Sequence, residues 1–456
     1  MRLEVVVLAA GQGTRMKSRL PKVLHTVGGM PLLEHVIRNA QALEPAAIHV
    51  VVGHGSEQVR QALAQYNIDW VVQAQQLGTG HAVMQALPAI DDDSVVLVLY
   101  GDVPLTRLST LQLLVRQAQH GPALLTATLQ NPQGYGRILR DGKGALLGVV
   151  EDKDATVSQR QIQEVNTGVL AAPHRDFQDY LPHVDNKNQQ GEYYLPDIIS
   201  LAVAEGKSVA SCAAGSELEI LGVNDRVQLN QVEREYQRRN AEELMRQGVN
   251  IADAGRLDIR GSLTCGEEVF IDINVVIEGA VTLGNGVSIG ANCVLCDVSV
   301  ADDAIIHPMS HLQGAVVGKE CSVGPYARLR PGTVLADGAR IGNFVEIKKA
   351  TIGMGSKVNH LSYIGDCEMG AKVNIGAGTI TCNYDGVNKH KTEICSGVFV
   401  GSNSTLVAPL RIEEQGFIAA GSTVTKFVDK GDLAIGRAPQ RNIQGWNRPG
   451  KRNSKD

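Results

Sequence analysis

Aromatic side chains are scarce in this chain, at 4% of 456 residues. That fits a core stacked from Val, Ile and Leu, which has little room for rings. Long apolar runs are missing too. None reaches the length of a membrane span, and the opening MRLEVVVLAAGQG reads as a short strand running into a glycine loop rather than as a signal peptide. Positive charge is not in excess: the net charge of −5 argues against a generic nucleic-acid binder. The eight cysteines, at 212, 265, 293, 296, 321, 367, 382 and 395, are scattered and form no disulfide framework. Cys293 and Cys296 make one C-x-x-C, but no second pair or nearby His completes four ligands, so no metal is expected there. A cytoplasmic protein without membrane or nucleic-acid partners is expected.

Glycine is plentiful, with 49 residues, above the common fraction of roughly 7%. Much of it belongs to a repeat between about Leu257 and Val424, where an apolar residue returns every sixth position. Ile271, Ile277, Leu283, Ile289 and Leu295 keep the beat, and Val317, Val323, Leu329, Leu335, Ile341 and Ile347 resume it. Ile352, Val358, Ile364, Met369 and Ile375 follow, then Ile394, Val400, Leu406, Ile412, Ile418 and Val424. The next residue is usually small or acidic. A period of six suits short flat strands joined by tight corners, three to a triangular coil with the repeated aliphatic pointing inward. Roughly eight or nine coils about 4.8 Å apart give a parallel β-helix about 40 Å tall. The beat fails near His307 to Ala315 and at Asn383 to Glu393, and both places are expected to leave the prism as loops.

The first half reads differently. Buried strands are expected at Val5 to Ala10, Ile48 to Gly53 and Val95 to Tyr100, alternating with helices, which implies a Rossmann-like, mostly parallel α/β sheet with ligands at the carboxyl ends of its strands. The first strand runs into Gly11-Gln12-Gly13-Thr14-Arg15, expected to enter a helix, and the third delivers Asp102. Backbone N–H groups of such a loop, with Arg15 and Lys22 nearby, suit a phosphate. The loop is neither a dinucleotide fingerprint, since Met16 stands where the third Gly belongs, nor a P-loop. Val227 to Gln247 reads as an amphipathic helix on which Val232, Tyr236, Leu244 and Met245 share one side. The expected division is therefore 1–226, a helical linker 227–247, and 248–456.

Several strings then stand together in order: LAAGQGTRM, PKVLH, QAQQLGTGHA, LYGDVP, GYGRI, VEDKDA, EVNTG and GVNDR, followed by RLRPG, VEIKKA, NHLSYIGD and NIGAGTITCNYDG. The first set resembles the sugar-1-phosphate nucleotidyltransferases. With the hexads, nearly the whole chain resembles the bifunctional uridyltransferase–acetyltransferases that make UDP-N-acetylglucosamine, a precursor of peptidoglycan and lipopolysaccharide. In that family the hexapeptide helix is left-handed and the protein is a homotrimer.

The resemblance implies Mg²⁺ on Asp102 and Asn224, with Arg15 and Lys22 toward the phosphates of UTP. Leu8, Ala9, Gly11, Gln73, Gly78 and Thr79 would hold uridine beside Tyr100 and Gly101, and Gly136, Glu151 and Asn166 would receive the amino sugar. The amide of Gln73 offers a donor and an acceptor to a uracil edge. In the second half His360 is the implied general base, with Arg330, Lys348, Tyr363 and Asn374 on glucosamine-1-phosphate. Ala377, Asn383, Tyr384, Ser402, Ala420 and Arg437 would contact acetyl-CoA, the co-substrate. The basic tail after Gly436 reads as a solvated end, with contact to the CoA phosphates as a rival. Gln75 and Gln12 depart from the Glu and Lys common in the family. A nucleotidyltransferase whose prism serves only assembly is opposed by His360 and the NYDG insertion. A scaffold with decayed sites is opposed by Lys22, Asp102, Asn166 and Asn224, all in place.

Overall fold

The structure is a computed structural model describing residues 2–53 and 55–450, so the last six residues of the basic tail lie outside the described residues. It divides into two units, 1–240 and 241–456. The helix Arg226–Arg246 carries the chain from one to the other. Val232 packs in the first unit with Met16, Val27, Leu32, Leu105 and Val223, whereas Leu244 joins the core of the second. Met245 is exposed, so the expected single apolar side is split between two cores.

In the first unit, Val5, Val6 and Val7 are fully buried, as a strand covered on both faces requires. The strand Arg2–Ala9 lies parallel between Ala47–Val52 and Ser94–Tyr100, with Asp69–Val72 parallel beyond the former. Glu164–Pro173 adds an antiparallel neighbour to Ser94–Tyr100. Alternation along the strand sends Val5, Val7 and Ala9 to one apolar layer and Val6 and Leu8 to the other. Helices Leu32–Gln41 and Leu108–Gln117 cover the first layer, and Thr79–Ala86, His174–Tyr180 and Asp197–Ala204 the second.

The second unit is a stack of short parallel strands. On one wall, Ile251, Ile271, Ile289, Ile306, Val323, Ile341, Val358, Ile375, Val400, Ile418 and Ala434 pair in an 11-stranded ladder. Two further ladders run through Ile277, Leu295, Leu312 and Leu329 and through Leu283, Val300, Val317 and Leu335. This is a parallel β-helix, consistent with the left-handed form. Eleven rungs replace the eight or nine expected, because Ile251, Ile306 and Ala434 lie off the six-residue beat.

The two breaks in the beat differ. Residues 307–315 leave no loop: His311–Gln313 is a strand in register with Val294–Cys296, and the rung is one residue shorter than three hexads. Residues 383–391 do leave the wall between the strands Ile380–Cys382 and Thr392–Ile394.

One corner is unlike the others. At the left-handed positions that turn the chain, two corners carry Gly, Asp, Glu, Gln or Lys, residues that tolerate positive φ or solvent. The corner after the 11-stranded wall instead carries Met309, Tyr326, Phe344 and Leu361 on successive rungs, with φ between 47° and 61°. They are 46%, 51%, 55% and 63% exposed, and the rings of Tyr326 and Phe344 stack at 5.2 Å.

Candidate active sites

Leu8 lies opposite Tyr100 in the sheet, and the Gly101 N–H donates to the Leu8 carbonyl at 2.9 Å. The glycine loop and Asp102 therefore leave the same edge, where the strand order reverses. Gly13 sits at φ 62°, and a Cβ there would stand 2.6 Å from Cβ of Lys22; glycine lets Lys22 pack against the loop. The helix expected after this loop is absent. Thr14–Met16 and Lys22–Leu24 are single 3-10 turns, and the first α-helix begins at Leu32, because prolines 21 and 31 and the Gly28-Gly29 turn interrupt any longer one. The loop therefore offers N–H groups and cationic side chains to an anion instead of a helix dipole.

Lys22 Nζ donates to Asp102 Oδ2 and, at 3.2 Å, to Asn224 Oδ1. Two hard oxygen donors from distant segments thus converge on one cationic point, a donor set that fits a small divalent ion completed by substrate phosphates. Among the described residues no group of three His, Cys, Asp or Glu forms a ready metal cage. Beside it is a cleft of about 210 Å³ lined by nine sequence-predicted residues: Leu8, Ala9, Gly11, Lys22, Gln73, Gly78, Thr79, Tyr100 and Asp102. Arg15 is exposed on the 3-10 turn and does not line it. Gln73 Nε2 donates to the Gly78 carbonyl at 3.1 Å and faces His81 Nδ1 at 3.0 Å, so its donor is engaged within the protein. Ala10, Val23, Gln76, Ala82 and Glu192 also line the cleft and went unread. Glu192 arrives because the Tyr193 N–H donates to Leu77 and its carbonyl accepts from Gly80, a stitch between distant loops that has no periodic signature.

Gly136, Glu151 and Asn166 form a second cluster. The Asn166 N–H donates to the Gly136 carbonyl at 2.8 Å, and a Cβ on Gly136 would meet Glu151 Oε1 at 2.9 Å. The strand slips register between Asn166 and Leu170, and Asn166 Oδ1 accepts from the Gly168 N–H at 2.9 Å. Burial, then the fields of Asp197, Asp154 and Asp152, pushes Glu151 up to about 7, against the pull of Arg137. Tyr100, half-buried near Glu151 and Asp102, is held well above the ordinary phenol range, chiefly by its desolvation.

In the β-helix, His360 ends the strand Lys357–His360 and is exposed. Its Nδ1 lies 3.1 Å from Asn343 Oδ1, the residue in register one rung earlier. With Asn343 accepting from Nδ1–H, Nε2 is left as the basic nitrogen. Asn343 was not read from sequence, although its spacing of one rung from His360 is the available signal. Ala377, Ser402 and Ala420 take the same corner position on later rungs: their carbonyls accept from Asn403, Gly421 and Arg437, each at 2.7 or 2.8 Å.

Around the next face, Lys348 pairs in register with Gly365, and a Cβ on Gly365 would fall on the Tyr363 phenol oxygen. Arg330 Nη1 donates to Glu346 at 2.8 Å. Lys389, foremost, and then Arg330 hold the Lys348 ammonium below its ordinary range, so three cations gather with Tyr363 at one place. Lys389 went unsingled because only the fold of the insertion brings it there. That insertion is ordered: Asp385 Oδ1 accepts the N–H groups of Val387 and Asn388, and Asp385 Oδ2 meets His390 at 2.6 Å. Asn383 is buried and bonded to Asp366, an anchor for the loop, while Tyr384 is 60% exposed. Asn374 stands on the 11-stranded wall opposite Lys357.

Fold and sites together define a nucleotidyltransferase joined to a hexapeptide-repeat transferase domain. Residues 5–170 match the MobA-like NTP transferase domain and residues 259–352 the GMPPB C-terminal domain. The chain is 57% identical over 450 residues to the bifunctional protein GlmU of Alkalilimnicola ehrlichii, covering 99% of this chain and 97% of that one. It is 56% identical to the GlmU of Marinobacter nauticus, over 98% and 99% of the two chains, and 54% identical to that of Pseudomonas putida, over 99% of each. The chain belongs to the GlmU family of bifunctional enzymes.

Proposed function

We propose that the protein makes UDP-N-acetylglucosamine in two steps, acetylating glucosamine-1-phosphate and then transferring uridylyl from UTP. The convergence of Lys22, Asp102 and Asn224 at the strand edge carries the second step. A sugar-phosphate oxygen attacks the α-phosphorus and pyrophosphate leaves; the nucleophile is already anionic, so positioning and charge neutralisation dominate. Mg²⁺ held by Asp102 and Asn224 supplies charge neutralisation when bound. Lys22 and Arg15 serve the phosphates. Gln73 Oε1 reads the uracil edge as an acceptor, since Nε2 is engaged. Leu8, Ala9, Gly11, Gly78, Thr79, Tyr100 and Gly101 shape the nucleotide side, and Gly136, Glu151 and Asn166 the sugar side.

For the first step, Nε2 of His360 takes a proton as the glucosamine nitrogen attacks the thioester carbon and the CoA thiolate leaves, a role worth about 10² to 10⁴ in rate. Arg330, Lys348 and Lys389 receive the phosphate, Tyr363 and Asn374 the sugar. Ala377, Ser402, Ala420 and Arg437, with Asn383 and Tyr384, line the path of acetyl-CoA. His360 adjoins Leu361 in the apolar corner, so we place the site where a second copy of the chain covers that corner in a homotrimer. Eight free cysteines accord with action in the cytosol. Incubation with glucosamine-1-phosphate, acetyl-CoA, UTP and Mg²⁺, following free thiol and pyrophosphate, tests the scheme: both products should appear, and absence of either removes that half.

A further inference from the structure

Arg137 pairs with Val150 where two antiparallel strands run out, so the next residues, Gly136 and Glu151, face each other. Alternation places Gly136 and Glu151 on one side of the strand pair and Arg137 on the other. Arg137 is 2% exposed, an unusual place for a guanidinium. Its Nη2 donates to Asp152 Oδ1 at 2.9 Å and its Nη1 to the Tyr135 carbonyl. Asp152 Oδ2 accepts from the Gly134 N–H at 3.0 Å. Arg160 holds the carbonyls of Asp152 and Lys153 at 3.3 and 3.4 Å. The bonds made by Asp152 and Arg137 therefore tie the segment before Gly136 to the segment after Glu151. No step of the transfer chemistry uses them.

We propose that the Arg137–Asp152 pair is a positioning clamp that sets the spacing of Gly136 and Glu151, and with it the pocket's selection of an N-acylated amino-sugar phosphate. This rests on the reading that Gly136, Glu151 and Asn166 receive the sugar. An ion pair with its guanidinium buried contributes little net stability; this one links two segments through both Nη atoms of Arg137, while Arg137 Nε has no partner among the described residues. A displacement of about 1 Å at a substrate-positioning residue costs up to roughly 10²-fold.

The test is steady-state uridylyl transfer by the full chain with N-acetylglucosamine-1-phosphate, UTP and Mg²⁺. Arg137→Met should raise KM for the sugar phosphate about tenfold or more while KM for UTP moves less than about twofold. Preference for the acetylated over the free amino sugar should fall, and thiol release in the acetyl step should not change. Arg137→Lys should recover only part, because a single ammonium nitrogen lacks the planar fork that reaches Asp152 and the Tyr135 carbonyl from two separate nitrogens. Asp152→Asn, on a side chain 25% exposed, should show a smaller loss of the same kind, and it decides the matter if Arg137→Met does not fold. KM values for sugar and UTP rising together, or a lowered melting temperature with both unchanged, would make the pair merely structural and overturn the clamp. Asn166→Ala separates the two levels. If it leaves the sugar KM unchanged, the pocket reading fails and takes the clamp with it; if it raises that KM while neither clamp variant does, the clamp alone fails.

Discussion

Replacing Tyr326 and Phe344 together by Asn tests the proposal that a second copy of the chain covers the apolar corner. Each ring is about half exposed, at 51% and 55%. Covering the remaining ~100 Å² of a ~200 Å² aromatic at ~25 cal/mol/Å² gives about 2.5 kcal/mol per residue, or about 5 kcal/mol per interface. That corresponds to between three and four decades in the association constant. Within the single chain the sum is small. Bulky residues at left-handed φ cost roughly 1–2 kcal/mol, which Asn relieves in part, and loss of the ring stack takes back about 1 kcal/mol. Sedimentation equilibrium over a dilution series should therefore show the assembly midpoint about 10³-fold higher, with an unchanged melting temperature for the dissociated chain. Thiol release should become dependent on concentration, and pyrophosphate release should not. A double variant that assembles at wild-type concentrations, or keeps full thiol release as a monomer, refutes the corner as a chain-to-chain contact.

The remaining predictions concern the two sites. Asp102→Ala should abolish pyrophosphate release and spare thiol release, and His360→Ala should do the reverse; loss of both from either change in a folded protein contradicts separate sites. Chelation with EDTA should stop uridylyl transfer alone, restored by Mg²⁺, since the Asp102 and Asn224 donor pair belongs to the first site; inhibition of acetyl transfer by EDTA would count against this. Burial raises Glu151 from 4.5 to about 7 and Asp197 from 3.8 to about 6, so the folded chain holds these protons more tightly than the unfolded one. Stability is thus lost as pH rises from the ordinary carboxylate range to about 7, and Glu151→Gln should flatten part of that decline in melting temperature. An unaltered pH curve would show that Glu151 is not an acid whose proton the fold holds up to about pH 7.

What was legible in the sequence followed from periodicity and from strings with a fixed order. The hexads gave the prism, and the strand before GQGTR gave the edge where Leu8, Lys22 and Asp102 meet. What escaped depended on registers that no local pattern counts. Asn343 comes to His360 through the stacking of rungs, Lys389 comes to Lys348 through the folding of an insertion, and Glu192 comes to Thr79's cleft through a pair of backbone bonds. The expected helix after the glycine loop failed for a local reason, since two prolines and a glycine pair cut it short. The expected loop at 307–315 failed because a lost residue and a gained loop both interrupt a beat of six.

That last difference says how the prism keeps time. Rungs of 17 and 18 residues follow one another, as from Leu312 to Leu329 and from Leu329 to Ile347, while the inward ladder stays aligned. The corners act as slip joints: they absorb a residue without passing the phase error along the wall. A deletion inside a strand has no such outlet, because it exchanges the inner and outer faces of everything up to the next corner. Length in this half of the protein is therefore set in rungs, and the residue count of a rung can differ by one without loss of alignment.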